Sequence, residues 1–166
     1  MSKNRHTIEH LKVACRHVQE LMAVGVTENY AIRTLELLSD FYAKLILEGP
    51  AAPHHVSQVP RAQWSLAAKK LLAENPDAKP RDHFRVEHGT PRRGFARMVL
   101  KLYEQGDLSE QAMRRLVDRY WKLAVIILDE DAVLARVARS MVYERPEERW
   151  HAAGIVFGDV DQSISN

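Results

Sequence analysis

The sequence predicts a mostly α-helical domain that carries a small two-stranded β element. Three observations lead there. Apolar side chains recur at intervals of three and four over most of the chain, the spacing of one buried helix face. Gly, Pro, Ser and Thr stand at the ends of those stretches as start and stop signals. The helical spacing fails in two places, near 83–88 and 123–128, where alternation and then a β-branched run take over.

The first helix is expected over 7–24, with Ile8, Leu11, Cys15, Val18 and Met22 in one stripe. Gly25 ends it, since glycine accepts the left-handed conformation that closes helices. Thr27 caps a second helix with the stripe Ala31, Leu35, Leu38, Tyr42 and Leu45, and Gly49-Pro50 stops it. A connection this short predicts an antiparallel αα-hairpin over 7–48. Residues 49–60 hold three prolines and His54-His55, and read as a loop joining the hairpin to a main body over 61–157. The whole, 1–166, is expected as a single domain.

A third helix is expected from Pro60 or Arg61, carrying Trp64, Ala67, Ala68, Leu71 and Leu72. After Lys79-Pro80, His83-Phe84-Arg85-Val86-Glu87-His88 alternates as a strand does. Thr90-Pro91 opens a fourth helix (Phe95, Met98, Val99, Leu102) that ends at Gly106, and Ser109 caps a fifth (Met113, Leu116, Val117, Tyr120). Leu123-Ala124-Val125-Ile126-Ile127-Leu128 reads as a buried strand. Asp129 is then expected to cap a sixth helix (Val133, Leu134, Val137, Met141), and a short helix over 146–153 ends at Gly154. Trp150 with Gly154-Ile155-Val156-Phe157 is expected to fold back over the end of the domain or to offer a small apolar patch.

Composition removes several function classes. A lone cysteine, Cys15, excludes intramolecular disulfides and cysteine-rich zinc sites, and suits a reducing compartment. Cys15 lies on the apolar stripe, so burial is expected rather than reactivity. No run approaches the length of a transmembrane helix and no signal-type segment opens the chain, so a cytoplasmic protein without membrane contact is expected. Nucleophile elbows, phosphate-binding loops and dinucleotide fingerprints are missing. His6, His10 and His17 share a face of the first helix, where a solvated helix start is the expectation. The turn at Gly25 has a helix-turn-helix outline, but Glu28, Glu36 and Asp40 oppose phosphate.

Net charge is only +2, yet eleven Lys and Arg stand against six Asp and Glu between Lys79 and Lys122. Such a segment is either a phosphate-facing surface or a set of solvated helix faces. Within it the first strand ends in Glu87-His88, with Pro91 shortly after, and the second runs into Asp129-Glu130-Asp131 at a helix start. This layout resembles the strand–strand–helix metal site of the HNH, or His-Me finger, nucleases. The resemblance implies that Glu87 binds a metal, that His88 is the general base activating water, and that Asp129, Glu130 or Asp131 completes the site. A hard cation such as Mg²⁺ or Mn²⁺ suits carboxylate ligands and stabilises charge developing on a phosphodiester. Arg92, Arg93 and Arg97 would then hold flanking phosphates of a nucleic acid. The resemblance implies a nuclease, or a remnant of one, of the phage or mobile-element kind. The sequence departs from the pattern in the 41 positions separating His88 from Asp129, and in lacking the asparagine and helix histidine usual there.

The alternative needs no metal. Glu87-His88 can be a strand end paired with nearby arginines, and Asp129 to Asp131 can be acids favoured at a helix N-terminus. The chain is then a non-enzymatic helical binding protein for a protein partner, a second copy of itself or a nucleic acid.

Overall fold

The computed structural model describes residues 7–48 and 62–158. The elements follow in the order α1 (Ile8–Ala23), α2 (Glu28–Ala31), α3 (Arg33–Glu48), β1 (Gln63–Trp64), α4 (Leu66–Glu74), α5 (Pro80–His83), β2 (Phe84–His88), α6 (Arg92–Glu104), α7 (Glu110–Tyr120), β3 (Leu123–Ile127), α8 (Leu128–Val137) and α9 (Glu147–Ala152). The chain is mostly helical with a small sheet, as its patterning predicts. It forms two compact units: one holds α1, α2, α3, α6 and α7, and the other holds the three strands with α4, α5, α8 and α9. The anticipated division set the hairpin 7–48 against everything after residue 61; in the structure α6 and α7 belong with the hairpin instead. The prolines and paired histidines of the 49–60 loop lie outside the described residues.

In the helical unit, Thr7 caps α1: its side chain accepts the His10 N–H, and the His10 imidazole Nδ1 accepts the Thr7 N–H. Gly25 follows with φ at +91°, the conformation that a side chain would strain. The helix expected from Thr27 is interrupted. Thr27 makes no side-chain cap bond, a single turn forms as α2, and Ile32 breaks the path before α3. The α1–α3 pair is the expected hairpin. Leu11, Cys15 and Val18 of α1, Leu35 and Ala43 of α3, Phe95 and Val99 of α6, and Met113 and Val117 of α7 are fully buried. Each large apolar side chain so removed from water contributes about 1.5–3 kcal/mol. Trp121 closes this core edge-on against Phe95 at 4.8 Å. Met22, expected in the α1 stripe, is exposed and lines an open pocket with Glu28 of α2 and Arg97, Leu100 and Glu104 of α6.

In the second unit the strands are ordered β1-β3-β2, with β1 parallel and β2 antiparallel to β3. The continuous apolar run of β3 follows from its central place, buried on both faces. Ala124 and Ile126 face a cluster with Leu134, Ala138, Trp150 and Ile155, while Val125 faces Ala68 and Phe84 on the other side. Phe157 returns to bridge Ser65 and packs on the Trp150 ring at 5.3 Å, so the C-terminal segment folds back as expected. Three features differ from expectation. The helix expected to carry Met141 ends at Val137, and both residues are exposed. Trp64 lies in β1 rather than in a helix, because α4 starts only after Ser65, whose side chain accepts the Ala68 N–H. And α8 is capped at Ile127 rather than Asp129.

Candidate functional site

The strand end that carries Glu87 and His88 is organised by Arg149. This side chain, on α9, is only 6% exposed. Its Nη1 donates to Glu87 Oε2 at 3.1 Å and to the His88 carbonyl at 2.6 Å. Nε donates to the Ala138 carbonyl at 2.9 Å, and Nη2 to the Arg139 carbonyl at 3.2 Å. A guanidinium has five donors in a rigid fork, and here the fork ties together the end of β2, the turn after α8, and α9. Glu87 supplies the compensating charge that a buried cation needs. Nothing in the sequence pattern marked Arg149, which is 62 positions from Glu87. The one available signal was a charged residue beside a core tryptophan in a short helix.

The second acidic group has a separate task. The Glu130 carboxylate reaches back to the Ile127 N–H at 3.0 Å, three residues earlier, and accepts the Ser65 hydroxyl at 2.7 Å. Ser65 also caps α4. One carboxylate and one hydroxyl thus each satisfy an N-terminal amide of two helices, α4 and α8, that lie far apart in sequence. Asp129 is exposed and Asp131 half-buried in the first turn of α8.

The register decides whether these groups meet. His88 pairs with Leu123 and Phe84 with Ile127, so Asp129 follows the strand end that lies beside Phe84. Four residue steps separate the two ends of the ladder, about 14 Å at 3.4 Å per residue. Glu87 and His88 are therefore not brought together with Asp129 and Asp131. The reason is topological: antiparallel pairing puts the end of one strand beside the start of the other. Among the described residues, no group of three or more His, Cys, Asp or Glu is arranged to hold a metal ion.

The arginines occupy the helical unit. Arg93 and Arg97 do share a face of α6, but that face meets acids. Arg93 Nε lies 3.4 Å from Glu36 and its Nη1 donates to Asn29 at 3.2 Å, while Arg97 Nε donates to Glu28 at 2.6 Å. Both guanidinium groups thus have partners on α2 or α3, while the Arg97 side chain stays about half exposed. Arg92 is exposed at the start of α6.

A different surface of this unit carries an open, largely apolar groove. Between α1 and α3 runs an open groove of about 350 Å³, lined by His10, Val13, Ala14, His17, Thr34 and Leu38. None of these is an acid, a lysine or an arginine. Val13 is 57% exposed and the neighbouring Leu37 52%. Both lie off the buried stripes, and an apolar residue off the stripe is the signal by which sequence reasoning could have found the face. Cys15, next to Ala14 in sequence, is fully buried; burial foremost, with the Glu104 charge adding, pushes its thiol up to about 12. Among the described residues no helix is long and apolar enough to cross a membrane. No known family model matches this chain, and comparisons with curated proteins and with solved structures gave no match.

Proposed function

We propose that this protein is a non-enzymatic, cytoplasmic helical binding protein whose partner is a protein seated on the α1–α3 face. One observation carries the reading: the groove between those helices is lined without any acid, lysine or arginine, and its lining includes exposed Val13, with exposed Leu37 next in sequence to the lining residue Leu38. Exposed apolar side chains gathered on one helical face mark interaction surfaces, and a groove between two helices suits an apolar helix face from a partner. The metal-nuclease reading gains no such support. It requires His88 and an acid of 129–131 at one cation, and the register separates them. Nucleic-acid binding through Arg93 and Arg97 would first have to break their contacts with Glu36, Asn29 and Glu28.

Two measurements test this together. Purified protein incubated with DNA or RNA and Mg²⁺ or Mn²⁺ is expected to leave both intact. A photo-reactive residue at position 37, expressed in the native cell, is expected to give a protein adduct that survives nuclease treatment, with far less at the exposed control position 111 on α7. Metal-dependent cleavage that disappears in His88→Ala would overturn the reading. So would equal adduct at 37 and 111.

A further inference from the structure

We infer that docking on the α1–α3 face is governed by protons: His10 and His17 admit the apolar face of a partner helix while both rings are neutral, and exclude it once they are charged. The inference rests on the docking reading above and adds its regulation. Among the residues that line the groove, the two histidines are the only ones that ionise near neutral pH. They stand two turns apart on α1, about 10 Å along its axis, with Val13 and Ala14 of the lining between them. Both side chains are exposed, so water reaches either ring in the free protein.

His10 carries a second constraint. Its Nδ1 accepts the Thr7 N–H at 3.2 Å, and its own N–H donates to the Thr7 hydroxyl at 3.5 Å, the two halves of a capping box. An imidazole nitrogen accepts only when it bears no proton, so the cap selects the neutral ring with its hydrogen on Nε2. A proton on Nδ1 deletes that acceptor. It also sets a positive charge in the first turn of α1, where the helix dipole opposes it. The proton that charges the groove therefore loosens the end of the helix that forms one of its walls.

Among the described residues no other charged group lines the groove to offset an imidazolium. On α1, Lys12 pairs with Glu9, while Arg16 and Glu20, opposite in sign and both exposed, stand on either side of His17 in sequence. On α3, Asp40 pairs with Lys44, and Glu36 lies beside Arg33 and Arg93 of α6. Glu28 of α2 pairs with Arg97, and both line a separate pocket with Glu104. The apolar face of a partner helix covers both histidines, and an imidazolium trapped beneath it loses water without gaining a counter-ion. The free protein takes up the proton and the complex excludes it, so affinity is greatest above the ordinary histidine range and falls as the pH drops through it. One histidine that must stay neutral weakens binding about tenfold between pH 7.5 and 5.5, and two weaken it about a hundredfold.

Two measurements test this. The first needs no partner. A long-range proton–nitrogen spectrum of the imidazoles is expected to show His10 as the Nε2–H tautomer at pH 7.5; the Nδ1–H tautomer would leave the cap without its acceptor and overturns the inference. The second uses protein carrying the photo-reactive residue at position 37, added to an extract of the native cell at pH 7.5 or 5.5 and diluted until adduct scales with protein. Adduct is expected to fall about tenfold or more at the lower pH. Glutamine is uncharged at both pH values, and at position 10 it is itself a capping-box residue. Whatever its yield at pH 7.5, the His10→Gln/His17→Gln variant should therefore give equal adduct at both, with circular dichroism confirming that each protein is folded. Equal adduct at the two pH values in the unsubstituted chain, or a fall that persists in the double variant, overturns the proton inference and leaves docking in place. The absence of any protein adduct at both pH values removes the docking reading and this inference with it.

Discussion

Replacing Glu87 distinguishes a counter-ion from a metal ligand without any assay of activity. Its carboxylate accepts from Arg149 Nη1 at 3.1 Å, and Arg149 is nearly fully buried while Glu87 is about a quarter exposed. Glu87→Gln keeps the shape but removes the charge that balances the guanidinium. A charged hydrogen bond of this kind contributes about 1.5–3 kcal/mol, and exposure of Glu87 puts the loss toward the lower part of that range. Arg149→Ala goes further, because it strips donors from the carbonyls of Ala138, His88 and Arg139 as well. Breaking a buried pair from the cationic side costs about 3–5 kcal/mol, a large part of the 5–15 kcal/mol that typically holds a domain together. The assay is urea unfolding in EDTA, followed by tryptophan fluorescence, since Trp150 adjoins Arg149 in sequence and lies in the core. The Glu87→Gln/Arg149→Ala double variant should be less destabilised than the two single losses added. A metal ligand behaves in the opposite way: with no metal present its removal relieves charge and leaves stability equal or higher. Glu87→Gln as stable as wild type in EDTA, together with a stabilisation by Mg²⁺ that the variant lacks, would refute the counter-ion account.

Three further outcomes follow from geometry already given. Gly89→Ala should destabilise by about 1–3 kcal/mol, since the added Cβ would fall 2.6 Å from Pro146 Cβ and 3.0 Å from its carbonyl oxygen, and thermal unfolding reads this directly. Ser65→Ala should cost about 1–2 kcal/mol through the lost α4 cap, and a double-mutant cycle with Glu130→Gln should show coupling; strict additivity would separate the two caps. Native Cys15 should alkylate several hundredfold or more slowly than the urea-unfolded chain at pH 8, since its thiol is pushed from 9.0 to about 12. The same shift has a definite sign. The folded state holds the proton more tightly, so the contribution of Cys15 is fully present below pH 9 and is lost as the pH rises from 9 toward 12; Cys15→Ala should flatten that part of a stability–pH curve.

What the sequence disclosed depended on how local the cause was. The β3 run and the β2 alternation were readable because burial on two faces and on one face leaves a direct pattern in adjacent residues. Gly25 and Ser109 announced helix ends through their own backbone and side-chain chemistry. β1 was hidden because two residues, Gln63 and Trp64, are too few to show a period, and its pairing partner lies 61 positions on. The contact between Glu87 and Arg149 was hidden for the same reason. A carboxylate beside a histidine looks alike whether it awaits a metal or neutralises an arginine from a distant helix. Only the register showed that antiparallel pairing carries Asp129 away from His88.

The stretch between β2 and β3 has a consequence for how the molecule can be made and taken apart. Thr90–Trp121 belongs to the helical unit, while its flanks are held in the sheet unit, where the Gly89 N–H donates to the Lys122 carbonyl at 2.8 Å. Closing an unstructured excursion of about 30 residues costs roughly 3 kcal/mol of chain entropy, which prior folding of α6 and α7 can prepay. During synthesis, β2 leaves the ribosome well before the strand it pairs with. A nascent chain stopped after α3 holds only part of the helical unit and none of the sheet unit. Neither half is available as a contiguous piece of gene, so a domain-swap or truncation experiment on this protein must splice rather than cut.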